Sequence, residues 1–468
     1  MVAGARCVWR SPFLALACTP DPDIGRPCRE GTMRNPWRFS VILGWLLVEA
    51  IVRAFVPALA KASRPLQELL VSEPIVGDVT ADSALVWARA SREAILRIEY
   101  GTEAELTAAQ FTEPVRLSLE RDFTAKVPLE GLRPGTRYFY RLHVQDPADP
   151  SRVFVGAIGQ FLTAPAEDEW VPLTFAYSGD AGEAYQPFRL FDAVRAHSPD
   201  FFLFLGDTIY ADQGPGPAAK TLVDYRLKYQ GNRKDAAFQR LARETSFYVV
   251  WDDHEIANNA NRTHPRLSLA RQAFLEYWPI REDGAEEGRL YRSFRWGRAA
   301  ELFLLDCRQY RSPQAERDGP SKTMLGAEQK AWLKAALLAS PATFKFIATT
   351  VPLKYHARDS WEGYRTERQE LLEFIRAQGI ANVIFLAADV HYAAVLRHVE
   401  GVAEIIAGPI AQFPSPIAFV GGRPEVEFTA TGMYTYALVR VFLEGSEPRA
   451  EIAIFNAQGK RLHTTRLP

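Results

Sequence analysis

Residues 201–210 read Phe201-Phe202-Leu203-Phe204-Leu205-Gly206-Asp207-Thr208-Ile209-Tyr210. Five successive apolar residues predict a short buried strand, and the glycine after them marks a turn that carries a carboxylate and a phenol. The same layout recurs along the chain. Apolar runs of strand length occupy residues 173–177, 247–251, 301–305, 344–349 and 383–387. Segments with apolar residues three and four apart intervene at 188–197, 328–339 and 367–378. Strands alternating with helices predict an α/β layered domain over residues 171–468, in which ligands gather beyond the carboxyl ends of the strands.

Five of those six strand ends carry acids, histidine or tyrosine. They are Ser178-Gly179-Asp180-Ala181-Gly182, the turn from Gly206 to Tyr210, Asp252-Asp253-His254-Glu255, Asp306-Cys307-Arg308-Gln309-Tyr310-Arg311, and Asp389-Val390-His391. A lone Asp in such a place reads as a helix cap. Five convergent ends read as a cation site, because clustered carboxylates repel unless positive charge neutralises them. Oxygen and imidazole donors suit iron, manganese, zinc, calcium or magnesium, whereas a thiolate zinc site or an iron–sulfur cluster would need clustered cysteines. Two cations fit the ends better than one: Asp207 could bridge them, and Tyr210 could supply a phenolate to one. Paired cations can clamp a phosphoryl group and lower the pKa of bound water, so phosphoester hydrolysis is the chemistry expected.

Upstream, residues 68–165 hold short alternating runs at 84–88, 94–100, 123–129 and 138–144 with turn residues between them. That is the pattern of a β-sandwich. The segment Leu132-Arg133-Pro134-Gly135-Thr136-Arg137-Tyr138 has the form of a tyrosine corner, with Trp87 a candidate core tryptophan. This region therefore resembles a fibronectin type III or immunoglobulin-like domain, which could bind wall polymer or carbohydrate, or only pack and shield. Across 468 residues, 55 Lys+Arg against 56 Asp+Glu leave a net charge of −1, without the basic excess expected of a nucleic-acid partner. Cys7, Cys18 and Cys28 lie near the N-terminus and Cys307 stands alone, so no disulfide framework is expected and Cys307 reads as a buried filler. Residues 33–60 place Arg34 and Arg38 ahead of an apolar run that closes on Ala58 and Ala60, a signal-like layout. Glu49 and Arg53 interrupt that run, so no stable membrane span is expected in the mature chain. Residues 1–32 form an upstream segment, with Met33 an alternative start and Cys18 a rival lipid-attachment site. The expectation is an exported protein, periplasmic or extracellular, tethered to a membrane if the signal-like segment stays attached.

Taken in order, these motifs resemble the PhoD-like alkaline phosphatase and phosphodiesterase family of the calcineurin-like metallophosphatases. The resemblance rests on Gly206-Asp207-Thr208-Ile209-Tyr210 with Ala211-Asp212, Trp251-Asp252-Asp253-His254-Glu255 with Asn258-Asn259, and Leu305-Asp306 with Arg308-Gln309-Tyr310-Arg311. It continues through Asp359-Ser360-Trp361-Glu362-Gly363-Tyr364 with Arg368, and Asp389-Val390-His391. The resemblance implies that Asp207 bridges two metals, that Tyr210 and His391 bind one, and that Asp253 and Asp389 hold the other with Asn258 or Asn259. The implied pair is Fe3+ with Ca2+, with Mn2+ or Zn2+ as alternatives. His254 would stabilise negative charge or protonate the leaving oxygen, or else serve as a structural histidine on a carboxylate. Arg308 and Arg311 could grip phosphate as forks, or pair with acids around the metals. Asp359, Trp361 and Tyr364 would line the substrate side, with loop packing around Gly363 as the plainer role. Two positions depart from the pattern. Some family members carry a cysteine after the first strand, whereas Asp180 supplies a hard oxygen here, closer to purple acid phosphatases. Where the superfamily often has an isolated histidine after a strand, His356 lies several residues beyond its strand, as a substrate-side group or a surface loop residue. The function implied is an exported metal-dependent hydrolase of phosphate esters. The alternatives are a diesterase on lipid, teichoic acid or nucleotide substrates and, outside enzymes, a wall-binding protein with a relic metal site. Residues 434–462 are expected to complete the second sheet.

Overall fold

The structure, a computed structural model, describes residues 69–282, 288–355 and 357–468. The upstream and signal-like segments at 1–32 and 33–60, and His356, lie outside the described residues.

Nine strands open the described residues: β1 (Ile75–Gly77), β2 (Ser83–Arg89), β3 (Ala94–Gly101), β4 (Gln110–Phe111), β5 (Val115–Leu117), β6 (Thr124–Glu130), β7 (Arg137–Asp146), β8 (Asp149–Val155) and β9 (Gly159–Leu162). Strict alternation along β7 buries Tyr138, Tyr140, Leu142 and Val144 on one face, as period-two patterning requires. The tyrosine corner forms, with the Arg133 N–H donating to the Tyr138 hydroxyl at 3.0 Å.

Three parallel strands follow, β10 (Leu173–Ser178), β11 (Phe201–Leu205) and β12 (Ser246–Val250), and then β13 (Arg292–Trp296), β14 (Ala300–Leu304), β15 (Phe344–Ala348), β16 (Val383–Ala387), β17 (Ala393–Arg397), β18 (Ala403–Ile406) and β19 (Val426–Ala430). The chain closes with β20 (Thr435–Glu444), β21 (Glu447–Asn456) and β22 (Arg461–Leu467). The main helices are α1 (Leu190–Arg195), α2 (Leu222–Arg233), α3 (Ala236–Glu244), α4 (Leu267–Tyr277), α5 (Gly326–Ala339) and α6 (Arg365–Ala377). One sheet runs β22-β21-β20-β10-β11-β12-β1-β2-β6 and a second runs β13-β14-β15-β16-β18-β17-β19. Their inner faces share one apolar core that includes Phe175, Phe201, Phe346 and Ile405. Helices α1 to α4 cover the outer face of the first sheet, and α5 and α6 that of the second.

Two expectations are corrected here. The N-terminal region is strand-rich as expected, and its β1, β2 and β6 continue the first sheet, with Gly77 of β1 paired in parallel with Phe247 of β12. Alternation along β2 accordingly sends Val86 and Ala88 to the inner core and Trp87 to the opposite, helix-covered face. There the Trp87 Nε1–H donates to the Glu276 carbonyl at 2.8 Å, so Trp87 is not a sandwich-core tryptophan. The C-terminal strands complete the first sheet instead of the second, because β20 pairs antiparallel along β10, with Phe175 opposite Val439.

Candidate metal centre

The strands β10, β11, β12 and β16 are parallel within their sheets, so their carboxyl ends meet along one edge of the two-sheet core. Just past those ends the backbone turns sharply. Asp180, Asp207, Asp389 and His391 have φ of 67°, 49°, 64° and 56°, a left-handed conformation that ordinary residues rarely adopt and that clusters at functional sites. Gly206, at φ 76°, precedes Asp207, and a Cβ there would lie 2.5 Å from the Cβ of Asp252. The glycine is what lets the β11 and β12 turns approach.

Three overlapping donor groups result: Asp180 with Asp207 and His391; Asp207 with Asp253 and His254; Asp252 with Asp253 and Asp389. Within each, one donor atom per residue lies within 4.8 Å of the others. Asp207 is common to the first two groups and Asp253 to the last two. Both carboxylate oxygens of Asp180 and Oδ1 of Asp253 are buried without a hydrogen-bond partner. Burial, and then the neighbouring carboxylates, push Asp180, Asp207 and Asp389 well above the usual carboxylate range. Burial also opposes ionisation of Asp253, but Arg308, His254 and the Asn259 N–H prevail and hold it at about 2. Unpartnered oxygens and mutually repelling acids are what a cation would satisfy, so the residues present fit a metal pair.

On the His391 side, Nδ1–H donates to the Phe413 carbonyl at 2.9 Å, an assignment that leaves the Nε2 lone pair facing the acids. Nε2 lies 3.1 Å from the Tyr210 hydroxyl and 3.6 Å from Asp180 Oδ1. Burial lowers His391 to about 4, which keeps the ring neutral, as a ligand must be. His254 is different. Burial works against its charge, but Asp253 and its hydrogen-bond partner Asp212 outweigh that and raise it to about 9. Its Nδ1 is 2.6 Å from Asp212, its backbone N–H donates to Asp207 at 3.1 Å, and its ring stacks on Tyr210 with centroids 4.3 Å apart.

Behind the acids, Arg308 is fully buried. It forks onto Asp252, with Nη2 donating at 2.9 Å, and Nη1 reaches Asp359 at 3.0 Å. Its Nη2 also lies 3.5 Å from Asp389. Arg311, equally buried, donates to the Asp359 carbonyl at 3.1 Å and to the Asp359 carboxylate. Of the two roles open to them, a grip on phosphate or pairing with acids, both arginines take the second: Arg308 pairs with Asp252 and Asp359, and Arg311 with Asp359. Trp361 and Tyr364 are corrected from substrate-side to packing residues. Both are buried, with the Trp361 Nε1–H donating to Thr349 Oγ1 at 2.9 Å and the Tyr364 hydroxyl to the Ser312 carbonyl at 2.5 Å. Asp359 does reach the site through Arg308 and Arg311, and turning the Asn259 amide to exchange its O and N lets its nitrogen donate to Asp359 at 2.9 Å and its oxygen accept from the Asn258 amide at 2.8 Å. Asn258 is exposed, with its backbone N–H on Asp212 at 2.8 Å. The contact to Asp253 comes instead from the Asn259 backbone. Cys307 is the buried filler expected, its thiol pushed by burial to about 12.

Several supporting residues carried no assigned role in the sequence. Glu255 accepts the N–H groups of Asp207, Thr208 and Asp252 at 3.1, 2.6 and 2.8 Å, which staples the β11 turn to the β12 turn. Thr350 donates to Asp252 at 2.6 Å. Glu255 and Asp252 stand in the same motif as His254, and Asp212 follows the Gly206–Tyr210 turn in its motif, signals that were available; Thr350 is an ordinary residue that only the fold makes a partner.

Two facing sheets with acids, tyrosine and histidine at their strand ends define the class of the dinuclear metallophosphatases. The chain belongs to the PhoD-like phosphatase family: residues 175–416 match the profile described as PhoD-like phosphatase and residues 70–165 match its N-terminal domain. Alkaline phosphatase D of Bacillus subtilis is 28% identical over 377 residues, covering 67% of this chain and 63% of that protein, so the chain spans just under two thirds of its length. A solved structure of PhoD matches with a TM-score of 0.75 at 21% identity, over 85% of this chain and 93% of the other. A purple acid phosphatase from yellow lupin (Lupinus luteus) seeds matches with a TM-score of 0.60 at 13% identity, over 84% and 73%. Those structural likenesses establish the fold.

Proposed function

We propose that this chain is a metal-dependent hydrolase of phosphate esters. The observation that carries the reading is the set of donor groups sharing Asp207 and Asp253, with both Asp180 oxygens and Asp253 Oδ1 left without a hydrogen bond. In this reading Asp180, Asp207, Tyr210 and His391 hold one cation, and Asp207, Asp252, Asp253 and Asp389 the other. When bound, such a pair supplies positive charge that lowers the pKa of a water molecule toward neutrality and offsets the charge on phosphoryl oxygens. His254 keeps its proton by facing Asp212 and Asp253, and it offers that proton to the leaving oxygen. Arg308 and Arg311 hold Asp252, Asp359 and, more distantly, Asp389 in place. The family resemblance implies Fe3+ with Ca2+, whereas Asp180 puts a hard oxygen where some members have sulfur, so Mn2+ and Zn2+ are assayed beside that pair. The signal-like segment at 33–60 supports export.

Elemental analysis of the purified chain, paired with hydrolysis of nitrophenyl mono- and diesters with and without chelator, tests this. We expect about two metal ions per chain and chelator-sensitive turnover, with the mono- to diester ratio choosing between phosphatase and diesterase. Asp207→Asn is expected to lower metal content and cut turnover by at least about 100-fold. A chain that stays metal-free and inactive after reconstitution with iron, calcium, manganese and zinc overturns the proposal and leaves the strand-rich N-terminal region as the functional part.

A further inference from the structure

The loop between β18 and β19 is pinned to the metal centre at two points. The Phe413 carbonyl accepts the His391 Nδ1–H at 2.9 Å, and the Ser415 N–H donates to the His391 carbonyl at 2.8 Å. The Ser415 hydroxyl also donates to the Ile417 carbonyl at 2.7 Å, a local tie within the loop. From this anchored base three large apolar side chains face solvent: Phe413, Ile417 and Phe419 are 63%, 58% and 43% exposed. Single exposed apolar residues are ordinary, but three within seven residues beside a functional site are not.

What lies next to them identifies the partner. The Phe419 ring meets Tyr355 edge-on with centroids 5.5 Å apart. Tyr355 in turn lines a shallow cavity of about 270 Å³ together with Arg358, Arg365 and Arg423. The acid in that cavity, Glu362, is paired with Arg368 at 3.0 Å, and none of the three arginines forms an ion pair with a described residue. Asp359, which Arg308 and Arg311 hold, directly follows Arg358 in the chain, so the cationic cavity and the metal centre share one loop. Apolar side chains flanked by guanidinium groups that outnumber the acid among them match the boundary between acyl chains and an anionic headgroup layer.

We propose that the rim formed by Phe413, Ile417, Phe419, Arg358, Arg365 and Arg423 docks on an anionic lipid surface and brings the metal centre to phosphoesters held there. The test is co-sedimentation of the full chain with vesicles of phosphatidylglycerol and phosphatidylcholine against vesicles of phosphatidylcholine alone. Binding is read directly, so the outcome does not depend on hydrolysis. We expect partition onto the anionic vesicles to be stronger by at least about 10-fold and to weaken as salt is raised. Arg365→Glu with Arg423→Glu should remove that preference, and Ile417→Ser with Phe419→Ser should cut binding to anionic vesicles by about 10-fold, since each buries apolar surface at the acyl boundary. Both variants should keep their circular dichroism and their turnover of a soluble nitrophenyl ester. Equal partition onto the two vesicle types, or binding that the apolar variant leaves unchanged, overturns the proposal. So does a chain that ignores vesicles while Ile417→Ser raises KM for a monomeric short-chain phospholipid, which would assign the ledge to a substrate acyl chain. A chain that binds anionic vesicles yet hydrolyses nothing supports the docking surface and rejects the proposed function.

Discussion

Arg308 concentrates the electrostatics of the site in one side chain. It forks onto Asp252, touches Asp359 and faces Asp389, all without solvent exposure of its own. Removing one partner of such a pair leaves the other as an uncompensated buried charge, which costs far more than an exposed pair contributes. Arg308→Met is therefore expected to lower the unfolding free energy of the metal-free chain by about 3–5 kcal/mol, measured by urea denaturation. Arg308→Lys should recover little of it, because an ammonium cannot reproduce the planar fork. A variant as stable as the parent would mean that Asp252 is held by Thr350 alone. His391 illustrates the opposite economy. Its ring is kept neutral by burial and aimed by a single backbone carbonyl, so its readiness as a ligand depends on where residue 413 sits.

Asp122 does at the scale of elements what Arg308 does at the site. Arg89 of β2 donates to it at 3.0 and 3.1 Å, Gln230 of α2 at 2.8 Å, and the Tyr277 hydroxyl at the end of α4 as well. Burial alone would raise its carboxyl pKa, but these donors more than offset that and leave it below its ordinary 3.8. A depressed folded pKa contributes stability that is present above the unfolded value and is lost as pH falls through the folded one. Asp122→Asn should thus be less stable than the parent at about pH 7, by on the order of 1–2 kcal/mol, and the gap should be narrower at about pH 3, below the unfolded pKa. Urea midpoints at the two pH values check the sign; a gap that widens in acid would contradict it. Elements were also where the sequence was most legible. The run Phe201–Leu205 announced β11 to the residue, and Val383–Ala387 announced β16, because a strand buried on both faces leaves an unbroken apolar run. The acids that end those strands were legible for the same reason. What could not be read was direction. Trp361 and Arg308 carry residue types suited to binding, yet both turn inward, and only packing against partners about 12 and 56 positions away decides that. Trp87 was misread because its face depends on which sheet β2 joins.

The whole molecule is tied together by that choice of sheet. Nine strands drawn from both ends of the described chain lie in one sheet, and a single apolar cluster runs from Leu69 to Leu467. The strand-rich N-terminal region and the layered domain should consequently melt together. Scanning calorimetry is expected to give one transition whose van't Hoff and calorimetric enthalpies agree to within about 10–20%, where two separable domains would give two. Two resolved transitions would show that the bond from β1 to β12 is weaker than the shared core suggests. The pairing of β10 with β20 has a further consequence, in time. The strand that delivers Asp180 is flanked on one side by β11 and on the other by a strand that begins only at Thr435, and the Ser178 hydroxyl donates to the Thr435 carbonyl at 2.8 Å. A ribosome must therefore have made β20 before β10 has both its neighbours. Until then a nascent chain carries Asp180 on a strand with one edge unpaired, so the frame that sets it beside Asp207 and His391 is among the last parts of the fold to close.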